Sequence, residues 1–277
     1  MSLELLLLLV LLGMATGFYS GLLGTGGNVI LIPAFDMLFM KYAIESQEAV
    51  KFIIAHSLAI TVFNGLFVSY RQLRIRNFHY KETLWIGVPA ALVGFCLSEV
   101  VKNAQWYNKL YFDILFAFLV LLVSIRFLFY RNIGSESYEK TKSSKPKSAF
   151  AAVGILTGAT TAMSGFGGGI IVIPALADLF KMAIRKASSI SIGVITLLAT
   201  AVSLSYLNVF STTVIDVILP NQFGYISLSL VAPISLGILF GAPLGVKVAQ
   251  KASANSLRIV FGMVMGALCL KMVFGLL

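Results

Sequence analysis

The sequence predicts an all-α polytopic membrane protein built from two inverted repeats. Three observations support this prediction: a strongly apolar composition, a duplicated glycine–proline segment and a one-sided distribution of Lys and Arg. Apolar residues make up 58% of the chain and charged residues 12%, and the mean hydropathy is +0.94. Soluble domains contain roughly 45–50% apolar and ~25% charged residues, so the composition excludes a soluble protein.

The duplicated segment occurs at an offset of 141 residues. The first copy runs from Gly24 to Pro33 and the second from Gly165 to Pro174, and 12 of the 27 positions in 13–39 are identical in 154–180. A glycine break that recurs in an apolar segment of each half indicates a transporter with its substrate site between the two breaks. The alternative is that the glycines only let helices pack closely.

Apolar segment lengths predict the membrane spans, because a helix needs about 20 residues to cross the hydrocarbon core. The legs after the glycines hold about 12 residues and reach only about 18 Å, so each broken segment is predicted to form a returning helical hairpin or a pair of half-helices. These broken segments are 3–40 and 149–180. Six full spans are predicted, at 50–70, 83–101, 109–130, 187–210, 224–247 and 256–277.

The basic residues distinguish two topologies. If each half is a returning hairpin plus three transmembrane helices, one side of the membrane carries fifteen Lys and Arg in its loops and the other carries four. If each broken segment crosses once, the two sides carry nine and ten. Cytoplasmic loops are enriched in Lys and Arg, so the first, inverted arrangement is favoured. The net charge of +10 then reflects topology and not a nucleic-acid partner.

This topology divides the chain into three parts. A first transmembrane repeat (1–130) and a second (149–277) are joined by a polar cytoplasmic linker (131–148). Both termini are expected outside the cytoplasm of a multi-pass protein of the cell (inner) membrane.

The glycine clusters are the predicted substrate site. Glycine lets the backbone approach a ligand closely, and successive N–H groups at a helix start form an anion-binding concavity. Ser57 and Ser191, in the span after each hairpin, could donate to the same anion, although membrane helices also use serines for packing. The predicted substrate-binding residues are Gly26, Gly27, Asn28, Gly167, Gly168, Gly169, Ser57 and Ser191.

Two ionisable residues inside apolar spans are candidates for proton coupling. His56 is one of two histidines in the chain, and Asp113 is an acid in a later span. Ionisable groups in membrane spans are functional candidates by default, and the pKa of imidazole suits proton transfer. For His56, a role as a hydrogen-bonded structural residue between helices is an equally good interpretation. We expect no cofactor, no metal site and no catalytic residue.

The two glycine–proline segments, together with Ser57 and Ser191, resemble the TauE/SafE family, also called the 4-toluene sulfonate uptake permease family. The resemblance covers essentially the whole chain. It implies an exporter of small sulfur-containing anions such as sulfite, sulfonates or sulfoacetate, coupled to protons. Asn28 stands where the second copy has Gly169, and His56 replaces a more typical small hydroxyl residue.

The leading functional prediction is therefore a secondary transporter of such anions that works by alternating access. A passive anion channel is the first alternative. An intramembrane hydrolase that uses Ser164 with His56 is the second, but Leu23 stands at the matching place in the first copy. The expected partners are a small anion and the lipid bilayer, and the sequence carries no information on the oligomeric state.

Overall fold

Nine helices with defined bounds and one short hairpin are found in the part of the chain that the structure, a computed structural model, describes, and the described residues at 256, 259–260, 262–264 and 266–267 are also helical. The described residues are 3–24, 26–41, 46–104, 106–129, 146–207, 220–252, 256, 259–260, 262–264 and 266–267. The helices are α1 (Leu3–Leu23), α2 (Asn28–Lys41), α3 (Ser46–Arg74), α4 (Tyr80–Asn103), α5 (Lys109–Phe129), α6 (Lys147–Ser164), α7 (Gly169–Pro174, continued by a π-helical turn, Ala175–Leu179), α8 (Ile184–Leu207) and α9 (Leu228–Lys251). The hairpin pairs β1 (Gln222–Phe223) with β2 (Ile226–Ser227).

The helices confirm an all-α membrane fold. Five of them, α1, α3, α4, α8 and α9, are long and apolar enough to cross a membrane. The predictions at 50–70, 83–101, 109–130 and 187–210 correspond to α3, α4, α5 and α8. Large apolar side chains are exposed along several of these helices, as expected for contact with lipid.

The bounds of the predicted spans differ from those of the observed helices by up to four residues, and other predictions cannot be compared. Helix α9 begins at Leu228 and not at 224, because the hairpin occupies the chain just before it. Most of the linker 131–148, and most of the span predicted at 256–277, lie outside the described residues.

Each broken segment folds back on itself. A Cβ placed on Gly27, just before α2, would lie 2.5 Å from Cγ2 of Thr16 in α1. A Cβ on Gly168, just before α7, would lie 2.3 Å from Cγ2 of Thr157 in α6. The start of each second leg therefore lies beside the first leg. The legs are unequal in length, since α1 could cross a membrane alone whereas α2 and α7 are short.

The first leg of each hairpin packs on a helix of the other half. Helix α1 runs parallel to α9, with Gly13, Gly17 and Gly21 against the α9 backbone; a Cβ on Gly13 would lie 2.1 Å from the carbonyl oxygen of Ile234. Helix α6 runs parallel to α4 in the same way, and a Cβ on Gly158 would lie 2.4 Å from the carbonyl oxygen of Ala90. These glycines let backbones touch, which is the usual means of association between helices in membranes.

Helices α3 and α8 form the centre of the molecule and run antiparallel. Most of their side chains are buried. Gly65 of α3 lies against Thr196 of α8, while Ile54, nearer the start of α3, lies against Gly165. The two prolines of the repeat lie inside the short legs, Pro33 within α2 and Pro174 at the end of α7, where the helix widens into its π-helical turn. Neither proline starts its leg.

Candidate functional site

Two glycine turns interrupt the two halves in the same conformation. We call Gly24, Gly26 and Gly27 the first glycine turn, and Gly165, Gly167 and Gly168 the second. All six have φ between 67° and 88°, in the left-handed region. Residues with a Cβ rarely adopt this conformation, whereas glycine does so readily. The duplicated glycines are therefore explained by a backbone shape that ends one helix and starts the next within a few residues.

A helix begins directly after each turn. Helix α2 starts at Asn28 and α7 at Gly169. The first N–H groups of a helix have no acceptor within it and carry the positive end of its dipole. Both starts are buried, with Asn28 and Val29 fully inaccessible to solvent. Backbone donors of both halves therefore lie in the protein interior, at the place where an anion-binding concavity was predicted.

The two turns meet through Asn28. Its Nδ2 donates a hydrogen bond of 2.6 Å to the carbonyl oxygen of Gly165, in the other half of the chain. A Cβ on Gly167 would lie 3.1 Å from the same Nδ2 atom. The side chain of Ile195 in α8 borders both turns, since its Cγ2 lies 3.2 Å from a Cβ built on Gly26 and 3.5 Å from one built on Gly167. The structure thus brings the predicted residues of both clusters together.

Helix α3 presents a polar face to the turns. Thr61 Oγ1 donates to Oδ1 of Asn28 and lies 2.8 Å from the carbonyl oxygen of Ser57. Asn64 Nδ2 donates to Ser20 Oγ at 2.6 Å and to the carbonyl oxygen of Gly26 at 3.0 Å. The hydroxyl of Ser57 donates to its own helix and lies 3.4 Å from a Cβ built on Gly165. The residues at 57, 61 and 64 therefore line one helix face toward both turns.

The second half contributes two buried hydroxyl groups that make no hydrogen bond in the described part of the chain. Ser191 and Thr161 are fully buried, and within the described residues the side-chain oxygen of each lacks a hydrogen-bond partner. Ser191 lies on α8 between Ser188, which contacts Gly24, and Ile195, which contacts Gly26 and Gly167. Residues three and four apart share a helix face, so Ser191 faces the turns. A buried hydroxyl without a partner is costly, and a bound ligand could use its proton.

The site carries no formal charge and is chemically unequal in its two halves. The first half supplies amide and hydroxyl groups at Asn28, Thr61 and Asn64. The second half has Gly169 at the place of Asn28. When Ser191 is aligned with Ser57, it has Ile195 and Leu198 at the places of Thr61 and Asn64. Polar donors are therefore concentrated on the α2–α3 side, and apolar atoms on the α8 side.

His56 lies in α3 away from the turns, among aromatic rings. Its Nδ1 lies 2.8 Å from the carbonyl oxygen of Phe52, and its Nε2 accepts a hydrogen bond of 2.9 Å from the N–H of Ser227. These contacts define a neutral ring with Nδ1 protonated. The ring is fully buried. Both nitrogens are occupied, so neither is available to activate Ser164, whose hydroxyl donates to the Thr160 carbonyl.

Asp113, the other candidate for coupling, lies at the start of α5. Its Oδ2 accepts a hydrogen bond of 2.9 Å from Lys109, and Lys109 also pairs with Asp36 of α2 at 2.7 Å. Asp113 and His56 therefore have no hydrogen-bond partner in common among these contacts. Among the described residues, no group of three or more His, Cys, Asp or Glu side chains could hold a metal ion.

Sequence reasoning missed several residues around the turns. Their signal was present: Thr61 and Asn64 follow Ser57 at helical spacing within an apolar span, and Asn is rare in such a span. The hydroxyl residues of α1 and α6 recur at the same offset of 141 as the glycines. The missed residues are Thr16, Ser20, Thr61, Asn64, Thr157, Thr161 and Ile195.

Two broken helices whose glycine turns meet inside a bundle of apolar spans are typical of a multi-pass membrane transporter. The chain belongs to the TauE/SafE family: the family model described as "Sulfite exporter TauE/SafE" matches residues 9–272.

Two curated relatives are both named as probable membrane transporter proteins. The chain is 28% identical over 268 residues to "Probable membrane transporter protein MJ0441" of Methanocaldococcus jannaschii, covering 97% of this chain and 95% of the relative. It is 23% identical over 217 residues to "Probable membrane transporter protein YunE" of Bacillus subtilis, covering 72% of this chain and 77% of the relative. No solved structure matches the chain significantly.

Proposed function

We propose that the protein is a secondary transporter that exports a small sulfur-containing anion, such as sulfite, a sulfonate or sulfoacetate, coupled to protons. The observation that carries this proposal is the meeting of the two glycine turns at Asn28 and the Gly165 carbonyl. Neutral N–H and O–H donors can hold an anion without a fixed positive charge, so they can also release it. The family description supports sulfite as a substrate and export as the direction.

In this proposal the substrate residues have distinct roles. The N–H groups of Gly26, Gly27, Gly167, Gly168 and Gly169 approach the anion, because no side chain shields them. The amide of Asn28 and the hydroxyls of Ser57 and Ser191 complete the shell of donors. The anion replaces the Gly165 carbonyl as the partner of Asn28, and the free hydroxyl of Ser191 gains an acceptor.

The way that the halves are joined supports alternating access. Each hairpin packs on a helix of the other half, α1 on α9 and α6 on α4, and both pairs are parallel. The central helices α3 and α8 are antiparallel. Two repeats of opposite orientation would pack in this way, and rocking between them would expose the turns to each side in turn.

The distribution of charge supports an orientation with both termini outside the cytoplasm of a cell (inner) membrane. The loop between α3 and α4, the loop between α7 and α8 and the end of α9 are basic. Of the four lysines assigned to the opposite side, Lys51, Lys102 and Lys109 form ion pairs with neighbouring carboxylates. These carboxylates offset the positive charge of the three lysines.

A panel of anions tests the proposal. Sulfite, sulfoacetate, methanesulfonate, sulfate and chloride should be added to the purified protein, since a ligand of the folded state raises its apparent stability. We expect sulfite or a sulfonate to raise the unfolding temperature and chloride not to do so. In proteoliposomes, accumulation against a gradient when a pH difference is imposed would distinguish a coupled transporter from a passive channel. Stabilisation by none of the anions would contradict the proposal.

A further inference from the structure

A second polar cluster lies between α2 and α5, separate from the glycine turns. Lys109 Nζ lies 2.7 Å from a carboxylate oxygen of Asp36 and 2.9 Å from Oδ2 of Asp113. Asp36 belongs to α2, whereas Lys109 and Asp113 lie one turn apart on α5. The lysine therefore joins the two helices through two carboxylates. We call Asp36, Lys109 and Asp113 the acid–lysine cluster.

The cluster has one more carboxylate than it has ammonium groups. Asp113 is 8% exposed, and within the described residues its Oδ1 is buried without a hydrogen-bond partner. An ionised oxygen in that position is more costly than a protonated one. The other titratable group that faces Asp113 is Tyr107, whose pKa is raised by burial and, to a smaller extent, by the negative charge of Asp113.

Two other lysines assigned to the same side of the membrane form ion pairs with one carboxylate each. Within the described residues, Lys51 forms an ion pair with Glu48 alone, and Lys102 with Glu99 alone, each at 2.8 Å. In those pairs the charges balance, and Lys102 also donates to the carbonyl oxygen of Ser205. Among these ion pairs, the excess negative charge is therefore specific to the acid–lysine cluster.

Contacts connect this cluster to both glycine turns. Asp36 lies about two turns along α2 from Asn28, which contacts the Gly165 carbonyl. On α5, the ring of Phe116 packs on that of Phe166, inside the second turn, with 4.7 Å between centroids. Just before α5, Tyr107 Oη donates a 2.6 Å hydrogen bond to the carbonyl oxygen of Met163, at the end of α6. The helices that Lys109 joins therefore reach the two turns.

We propose that Asp113 binds the coupled proton, and that its protonation loosens the ion pairs that hold α2 against α5. This inference rests on the proposed function, because it gives the proton coupling of that function a residue. Proton binding turns the Asp113 carboxylate into a neutral acid, which weakens its bond with Lys109. Helix α2 then separates from α5, which moves Asn28 away from the second turn, and the anion bound between them is held less tightly. His56, whose ring nitrogens are both hydrogen-bonded to the backbone, keeps a structural role.

The first test measures the distance between α2 and α5 without any anion. Spin labels at Met37 on α2 and Leu110 on α5, both exposed, report the distance between the helices by electron paramagnetic resonance. In the otherwise unaltered protein we expect this distance to increase as the pH falls. In Asp113→Asn, which mimics the protonated state, the longer distance should be present at every pH. If the distance does not change with pH in the unaltered protein, protonation does not loosen the ion pairs between α2 and α5, and the inference is overturned.

The second test measures coupling to the anion, using sulfoacetate, whose acidic groups stay ionised between about pH 6 and about pH 8. Its affinity for the wild-type protein should fall at the lower pH by a factor within the usual range for coupled sites, about 5–150. Asp113→Asn should bind it equally at both values and lose accumulation driven by a pH gradient. Glu48→Gln, which removes a carboxylate of a balanced pair, is the matched control and should behave as wild type.

The outcomes separate the two proposals. If neither sulfite nor sulfoacetate stabilises the wild-type protein, the proposed function fails, whatever the spin labels show. If the wild type binds sulfoacetate and Asp113→Asn keeps the same pH dependence, Asp113 is not the proton site and the proposed function stands. Should Asp113→Asn not fold, Asp36→Asn removes the second carboxylate and should also reduce the pH dependence. If sulfoacetate binding by Asp36→Asn then depends on pH as strongly as binding by the wild type does, the inference is overturned.

Discussion

Asn28 and Gly165 are 137 residues apart in the chain, yet the side-chain amide of the first donates a 2.6 Å hydrogen bond to the carbonyl oxygen of the second. The bond joins the start of α2 in one half to the end of α6 in the other. It lies at the place where the duplicated glycine segments were expected to meet. Because the second half has Gly169 at the position of Asn28, only one half supplies such a link.

The first prediction concerns the charge of this link. Asn28→Asp keeps the size of the side chain, but it removes the donor and places a negative charge at the proposed anion site. We expect anion transport to be lost, because like charges repel strongly where water is excluded. Proteoliposome flux measures this.

Asn28→Gly, which copies the second half, is the matched control. It should retain measurable binding and lose stability by about 1–2 kcal/mol, the range for hydrogen bonds between membrane helices. Normal flux in Asn28→Asp would remove Asn28 from the substrate site.

The second prediction concerns the close approach at Gly168. Gly168→Ala should reduce the thermal stability, because its Cβ would lie 2.3 Å from Cγ2 of Thr157 and its φ is 77°. The double variant Thr157→Ser/Gly168→Ala removes that methyl group and keeps the hydroxyl, which donates to the Val153 carbonyl. It should recover part of the loss, while the left-handed conformation still costs about 1–2 kcal/mol.

Thermal unfolding in detergent compares the two variants of Gly168. A double variant that is no more stable than Gly168→Ala would show that the clash with Thr157 is not the cause. If Gly168→Ala is as stable as wild type, the turn tolerates a side chain and its glycine has no conformational role.

The third prediction is topological. In a background without Cys96 and Cys269, single cysteines at Phe223 and Ile75 lie at opposite ends of the helices, and both positions are exposed. The inverted arrangement predicts that Cys at 223 reacts with an impermeant thiol reagent added to intact cells and that Cys at 75 reacts only after permeabilisation. Equal labelling of both in intact cells would refute the proposed orientation.

The fourth prediction concerns His56. His56→Gln removes titration and keeps a side chain that can donate to one backbone group and accept from another. Since His56 contacts Phe52 and Ser227 and not the glycine turns, we expect transport driven by a pH gradient to persist. Stability should fall by about 1 kcal/mol, as is typical of a membrane hydrogen bond. Loss of uphill transport with unchanged anion binding would instead identify His56 as the proton carrier.

Much of the fold could be predicted from the sequence because it depends on local properties. The length of an apolar run decides whether a helix can cross a membrane, and α3, α4 and α8 appear where such runs occur. The glycine turns were also predictable, because positive φ is a property that glycine brings to any context. The start of α9 differs from the prediction because the hairpin at 222–227, which composition alone does not indicate, occupies the chain just before the helix.

The sequence by itself determined that the chain enters the membrane and breaks twice at matched glycines, because both depend on residue type and spacing. Only the tertiary structure decided which polar groups meet. Thr61 reaches Asn28, and Lys109 joins Asp36 to Asp113, because helices from distant parts of the chain pack at particular depths and rotations. Those depend on contacts such as the glycines of α1 against α9, which no local pattern specifies.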